Sequence, residues 1–262
     1  MSEGPQDGVF SIRFRPHESA LPNLEDRCLA AAYGLSEDLY QHARADLQWS
    51  LDQSVEGLLG ESAFVRFVQN VRWPTGQVLF LGDSLTADAV SWANQLIEAL
   101  RRLVPDVATR NIAVSGDTSL QAVWRIAFQS PSDLVIAMIG TNDGQLYAGE
   151  PLVSDAQTEH SLEMIERLAD GRVAWVVPPG FDADRIHGHE VLKVLPMRWS
   201  EEIHARKQQI VAHRPNVLLD SRYVVEGRDA NATIDGLHLS PNAHQVLATA
   251  VIAALAEASS TK

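Results

Sequence analysis

The chain holds 262 residues, 45% of them apolar, enough to fill the core of one large domain or of a medium domain with an appendage. A net charge of −13 and a pI near 5.0 argue against nucleic acid and anionic membranes as partners, because both draw basic surfaces. The single cysteine, Cys28, excludes an internal disulfide and a thiolate metal cluster and suits a reducing compartment.

Residues 1–8 are polar and acidic and lack the basic start and apolar run of an export signal, so the expected location is cytoplasmic. No apolar stretch approaches the roughly 18 residues that a bilayer span requires. A short alternating run follows at Phe10, Ser11, Ile12, Arg13 and Phe14, and Pro16 and Pro22 bracket the change to helical sequence. Leu39, Ala43, Leu47, Leu51 and Val55 recur every four residues, behind Ser36 as N-cap and Glu37 and Asp38 in the first turn. A second amphipathic piece carries Phe64, Phe67, Val68 and Val71. The junction is expected at Trp73-Pro74-Thr75-Gly76, giving a mostly helical extension over 1–73 and a second domain over 74–262.

From residue 77 onward, apolar β-prone runs alternate with helical patterns, the mark of βαβ units and a parallel sheet. Five strands are predicted, at 77–81 (QVLFL), 110–114 (RNIAV), 134–139 (LVIAMI), 173–177 (VAWVV) and 217–219 (VLL). Their near-continuous hydrophobicity fits strands covered by helices on both faces. Between them, Ala93, Leu96, Ile97, Leu100 and Leu103 mark one helical face. Ser240-Pro241 opens the last helix, expected to run to about Ala256, with His244 on its surface.

In an open parallel sheet, ligands bind beyond the carboxyl ends of the strands. There the chain carries Gly82-Asp83-Ser84-Leu85, Ser115-Gly116-Asp117, Gly140-Thr141-Asn142-Asp143 and Asp235-Gly236-Leu237-His238. Attack on an ester by serine needs a hydroxyl, a base, a group that fixes the base's tautomer, and donors for the oxyanion. Ser84 can be the nucleophile, His238 the base and Asp235 the partner of its Nδ1, with Gly236 permitting the tight turn between them. The Ser84 and Gly116 N–H groups and the Asn142 amide can serve as oxyanion donors. Each motif alone is ordinary turn sequence, since Gly, Asp, Ser and Asn all favour turns; their conjunction in this order carries the reading.

The segments GDSLTA, NIAVSGDTS, IGTNDG and DGLHLSP resemble the four signature blocks of the SGNH (GDSL) hydrolase superfamily, over roughly residues 77–255, and look most like its bacterial thioesterase/arylesterase branch. The family's Ser, Gly, Asn and His fall on Ser84, Gly116, Asn142 and His238, and its Asp-x-x-His on Asp235 and His238. The resemblance implies a flavodoxin-like three-layer α/β/α fold, a small-molecule acyl ester or thioester as substrate, and no cofactor. The chain departs from the family's simple members in its long lead-in to the first strand.

Other residues read as structural. Asp83 and Asp143 are expected to fasten loops through side-chain to backbone hydrogen bonds. His187-Gly188-His189-Glu190 lacks a third metal ligand at recognisable spacing and reads as a surface loop. Tyr147, Phe181, Met197 and Trp199 fit either an acyl-pocket wall or core. The α/β-hydrolase pattern Gly-x-Ser-x-Gly, the P-loop and the dinucleotide fingerprint do not occur. Three functions remain in view: hydrolysis of an ester or thioester through an acyl-enzyme on Ser84, acyl transfer to an amine or alcohol, and a protein-interaction role for residues 1–73.

Overall fold

The computed structural model describes residues 5–14, 24–225 and 231–260, without the side chains of residues 5–7; Pro16 and Pro22 lie outside the described residues. Its centre is a five-stranded parallel sheet of β1 (Gln77–Gly82), β2 (Ala108–Asn111), β3 (Leu134–Met138), β6 (Val173–Val177) and β8 (Val217–Asp220) in the order β2-β1-β3-β6-β8. The order reverses direction at β1, and in such open sheets ligands bind beyond the strand ends at this switch point. Three short strands, β4 (Gln145–Tyr147), β5 (Glu150–Pro151) and β7 (Met197–Trp199), form a separate antiparallel patch that the sequence reading did not foresee. At two or three residues each, they are too short to carry a period.

Successive strand residues point to opposite faces, and both faces are buried. Val78, Phe80, Ile136, Met138 and Val176 face helices Trp92–Leu103 and Pro241–Ser260. Leu79, Leu81, Val135, Ala137, Trp175 and Val177 belong to the second core, on the side of helices Ser119–Ala127, Asp155–Leu168 and Glu201–Ala212. This is the three-layer α/β/α arrangement.

The N-terminal helices extend the first of these cores. Ser36 caps helix Glu37–Gly60 by accepting the Leu39 N–H, and Val55 and Leu58 from it, with Phe64, Val68 and Val71 from and just after helix Ser62–Asn70, pack among Leu96, Leu100, Val251 and Ile252. Val55, Leu58, Phe64 and Val68 are fully buried, and burial of each such side chain is worth about 1.5–3 kcal/mol. A smaller cluster of Ile12, Leu29, Ala30, Tyr33, Leu35, Tyr40 and Ala43 joins the first helix to the next two.

Four local expectations are corrected. Strand β2 begins at Ala108, two residues before the predicted start, and is assigned only to Asn111. It is an edge strand with every other residue exposed, so its outer part lacks the apolar run that marks its neighbours. The alternating run at Phe10 to Phe14 is a helix, Pro5–Ile12, followed by a turn. His244 is fully buried. It sits on the inward stripe with Ala243, Leu247, Ala248 and Val251, where a polar residue is invisible to a hydrophobic count. The last helix also runs further than expected, to Ser260.

Candidate active site

Strand β1 ends at Gly82 and the chain turns at once into the four-residue helix Ser84–Ala87. Asp83 caps that helix, its Oδ1 accepting the Leu85 N–H at 3.0 Å. Ser84 therefore sits at the first helical position, where its own N–H has no carbonyl to pair with inside the helix, and the helix's positive end faces outward.

The loop before the last helix brings the other groups to the same place. Asp235 Oδ1 accepts the N–H groups of Leu237 (2.9 Å) and His238 (2.7 Å), folding its own turn, while Gly236 takes φ of +96°. The base of the turn is closed by the Thr233–Leu239 bridge and by Ile234 N–H donating to the His238 carbonyl at 2.8 Å. Arg185 clasps it from outside, donating to the Thr233 hydroxyl and carbonyl. So held, Asp235 Oδ2 lies 2.5 Å from His238 Nδ1, and His238 Nε2 lies 3.0 Å from Ser84 Oγ. With Nδ1–H donating to the carboxylate, Nε2 is left to accept the serine proton.

All three side chains are buried. Burial by itself raises the Asp235 carboxyl, but the His238 charge, the hydrogen bond from its ring and the two backbone N–H groups together hold it below the usual carboxylate value. Asp235 is thus an anion facing the imidazole, the condition for stabilising an imidazolium as it forms.

Gly116 follows strand β2 with φ of +83°, and its Cα hydrogen faces open space. Asn142 lies after β3 in a single 3₁₀ turn, and its amide is fixed from both ends. Nδ2 donates to the Asp117 carbonyl at 3.0 Å and Oδ1 accepts from Gln145 Nε2 at 2.7 Å, so one N–H remains for a ligand. Arg125 grips Asp117 in turn through a forked pair at 2.8 and 3.2 Å.

Asp143 fastens its loop as expected: it accepts the Ser119 N–H (2.7 Å), the Ser119 hydroxyl (2.6 Å) and the Thr158 hydroxyl (2.6 Å). Asp83 has a further character, since its Oδ2 is buried without a hydrogen-bond partner and burial pushes its carboxyl up to about 7. Phe181 and Trp199 are buried beside Leu237 in a core cluster, whereas Tyr147 is exposed. His187 Nε2 accepts the Trp199 N–H, and no group of three metal-ligating side chains occurs among the described residues.

The sequence reading missed Gln145, whose role depends on a contact three residues back that no motif marks. It also missed the N-terminal tip. Phe14 stacks on His238 with ring centroids 4.0 Å apart, and Arg13 pairs with buried Asp88 just past the Ser84 helix.

Against this geometry, residues 80–246 match the model of the GDSL-like lipase/acylhydrolase family. The chain belongs to that family. It is an SGNH hydrolase, a class that in general cleaves esters. Among solved structures, it resembles the lipase/acylhydrolase from Enterococcus faecalis, with 22% identity over 70% of this chain and 96% of that one and a TM-score of 0.55; this likeness carries the fold. TesA (23% identity, 68% and 97% covered, TM-score 0.49) and the aryl esterase of M. smegmatis (18% identity, 71% and 98% covered, TM-score 0.48) are also similar. No curated protein matches the chain. Among the described residues, no helix is long and apolar enough to cross a membrane.

Proposed function

We propose that this SGNH hydrolase cleaves a carboxylic ester or thioester of a small molecule through an acyl-enzyme on Ser84. The observation that carries the reading is the unbroken chain from Ser84 Oγ to His238 Nε2 and from His238 Nδ1 to Asp235 Oδ2. His238 takes the serine proton as Oγ bonds to the acyl carbon. The tetrahedral oxyanion is met by the N–H groups of Ser84 and Gly116 and the remaining N–H of Asn142. The imidazolium then returns its proton to the leaving oxygen or sulfur as that bond breaks, and water, deprotonated by the same histidine, repeats the sequence to release the acid. The test is Ser84→Ala against p-nitrophenyl butyrate: turnover should vanish, and a variant that keeps most of its activity rules out the assignment.

Acyl transfer to an amine or alcohol is a second reading, favoured by the burial of Ser84, His238 and Asn142, which leaves water little access. Product analysis at high acceptor concentration separates the two, since exclusive hydrolysis removes transfer. For residues 1–73 we favour a structural extension of the hydrolase core over a separable interaction module, because Val55, Leu58, Phe64 and Val68 are buried in it. Deletion of residues 1–70 should then give an aggregating remainder; a soluble, active one would favour the module.

A further inference from the structure

The tip of the N-terminal region is tied to the active site by three bonds from one residue. Arg13 Nε donates to Asp88 Oδ2 at 2.6 Å, Arg13 Nη2 donates to the Leu239 carbonyl at 3.1 Å, and the Arg13 carbonyl accepts the Ala89 N–H at 2.8 Å. Asp88 ends the helix that begins with Ser84, and Leu239 follows His238. Arg13 therefore spans the nucleophile's element and the base's loop. Its neighbour Phe14, 5% exposed, lies against the His238 ring at 4.0 Å and 33°, and Phe10 packs edge-on against Phe14 at 5.2 Å and stands 6.3 Å from His238. On its far side Phe10 faces the His189 ring at 5.1 Å.

The position of these rings has a chemical meaning. When the bond to the leaving group breaks, its electron pair takes the proton from His238 Nε2, so the departing oxygen or sulfur must come within hydrogen-bond reach of that nitrogen. Whatever flanks the imidazole is then a neighbour of the leaving group. A ring pair offered there rewards an aromatic or flat apolar leaving group, through burial and through the preferred edge and offset geometries of aromatic rings.

Resting on the serine-hydrolase reading above, we propose that Phe14 and Phe10 form the leaving-group wall of the active site and select esters of aromatic-sized apolar alcohols or thiols, with Arg13 as the positioning residue that holds the wall in place. Specificity for the departing group is thus supplied by the N-terminal region, and the reacting groups by the α/β sheet.

The full-length enzyme and its variants should be assayed on benzyl and ethyl acetate, whose leaving groups have similar basicity, and on ethyl acetate, butyrate and octanoate. Phe14→Ala and Phe10→Ala are each expected to lower the benzyl-to-ethyl ratio of kcat/KM by about 10-fold, the scale of one aromatic contact, while the acyl-chain ratios stay as in the wild type. Arg13→Met should lower the same ratio and Arg13→Lys should restore part of it, whereas a purely structural cation would lower kcat/KM for benzyl and ethyl acetate alike and leave their ratio unchanged. An unchanged benzyl-to-ethyl ratio in both phenylalanine variants, or a change confined to the acyl series, overturns the wall. If circular dichroism shows that Phe14→Ala does not fold, Phe14→Leu and Phe10→Ala carry the same comparison. A wild type with no Ser84-dependent hydrolysis of any of these esters overturns the hydrolase reading together with the wall; a wild type that hydrolyses them, with unchanged ratios in the variants, overturns the wall alone.

Discussion

The two ends of this active site are built on different principles. On the sheet side, Ser84, Gly116 and Asn142 stand at or just beyond the ends of β1, β2 and β3, and each is fixed by bonds within its own loop or to the next one. On the N-terminal side, Phe10 and Phe14 stand on a short helix and its following turn, attached to the rim mainly through one partly buried cation. The contrast teaches a division of labour. Groups whose geometry must hold to a fraction of an ångström are placed in hydrogen-bonded turns anchored beside the sheet, while those that only shape the space beside them are brought in from a neighbouring element.

Substitutions on the sheet side should be the costlier ones. Asp235→Asn keeps an oxygen able to accept the Leu237 and His238 N–H groups, so the turn persists, but it offers an amide N–H to Nδ1 in place of Oδ2. The imidazole must then carry its proton on Nε2 and cannot take the serine's. A loss of about 10⁴ in kcat is expected, the size seen when a comparable triad is given the wrong tautomer; steady-state kinetics at pH 7 with an intact circular-dichroism spectrum check it. Asn142→Ala removes one oxyanion donor and should lower kcat by about 10²–10³ with KM little changed. A loss spread equally into KM would make Asn142 a substrate-binding group instead.

The same contrast governs what could be read from sequence. The central fold and the convergence of Ser84, His238 and Asp235 were legible because their turns follow or precede apolar runs; the roles proposed for them, and for Gly116 and Asn142, rest on chemistry local in sequence. Even the Asp235 to His238 contact spans only three positions. Gln145, Arg13 and Phe14 were not legible, because each acts through a partner that only the fold brings near: Arg13 and Asp88 are 75 residues apart, and Arg13 and Leu239 are 226 apart. His244 was misread for a related reason. Its spacing to Leu247, Ala248 and Val251 puts it on the inward stripe, but a polar side chain there is expected only once its partner is known, and Asp88, whose Oδ2 lies 3.4 Å from its Nε2, is brought near by the fold.

Breaking the N-terminal anchor should cost stability as well as selectivity. Arg13→Met leaves the fully buried Asp88 carboxylate facing His244, which burial, offset in part by Asp88, keeps below its usual pKa. Removing one partner of a buried pair costs about 3 kcal/mol at the low end of its range, a fitting figure since Arg13 itself is 14% exposed. The loss should shrink as pH falls, because His244, freed of the nearby guanidinium charge that also opposes its protonation, can take up a proton and replace the missing cation. Chemical denaturation of both proteins at pH 5.5 and pH 8 checks this, and an equal deficit at the two pH values would remove His244 from the account.

The smallest effect concerns Asp83, and it separates the sheet-side carboxylates by what holds them. Asp235 is surrounded by donors and stays charged, whereas Asp83 has the Leu85 N–H on Oδ1 and only the nearby Thr141 hydroxyl besides, too little to offset its burial, which raises it to about 7. In the unfolded chain it ionises near its ordinary value of 3.8, so between that pH and about 7 the native state binds the extra proton. Stability contributed by this group therefore falls as pH rises through the window and levels off above it. Between pH 6 and pH 8 the loss amounts to about 1 kcal/mol. Asp83→Asn has no proton to lose and can still accept the Leu85 N–H, so its stability relative to the wild type should rise by that amount across the interval. A difference between the two proteins that is flat from pH 6 to pH 8 would mean that Asp83 is already ionised there and that its unbonded oxygen finds a donor in solution.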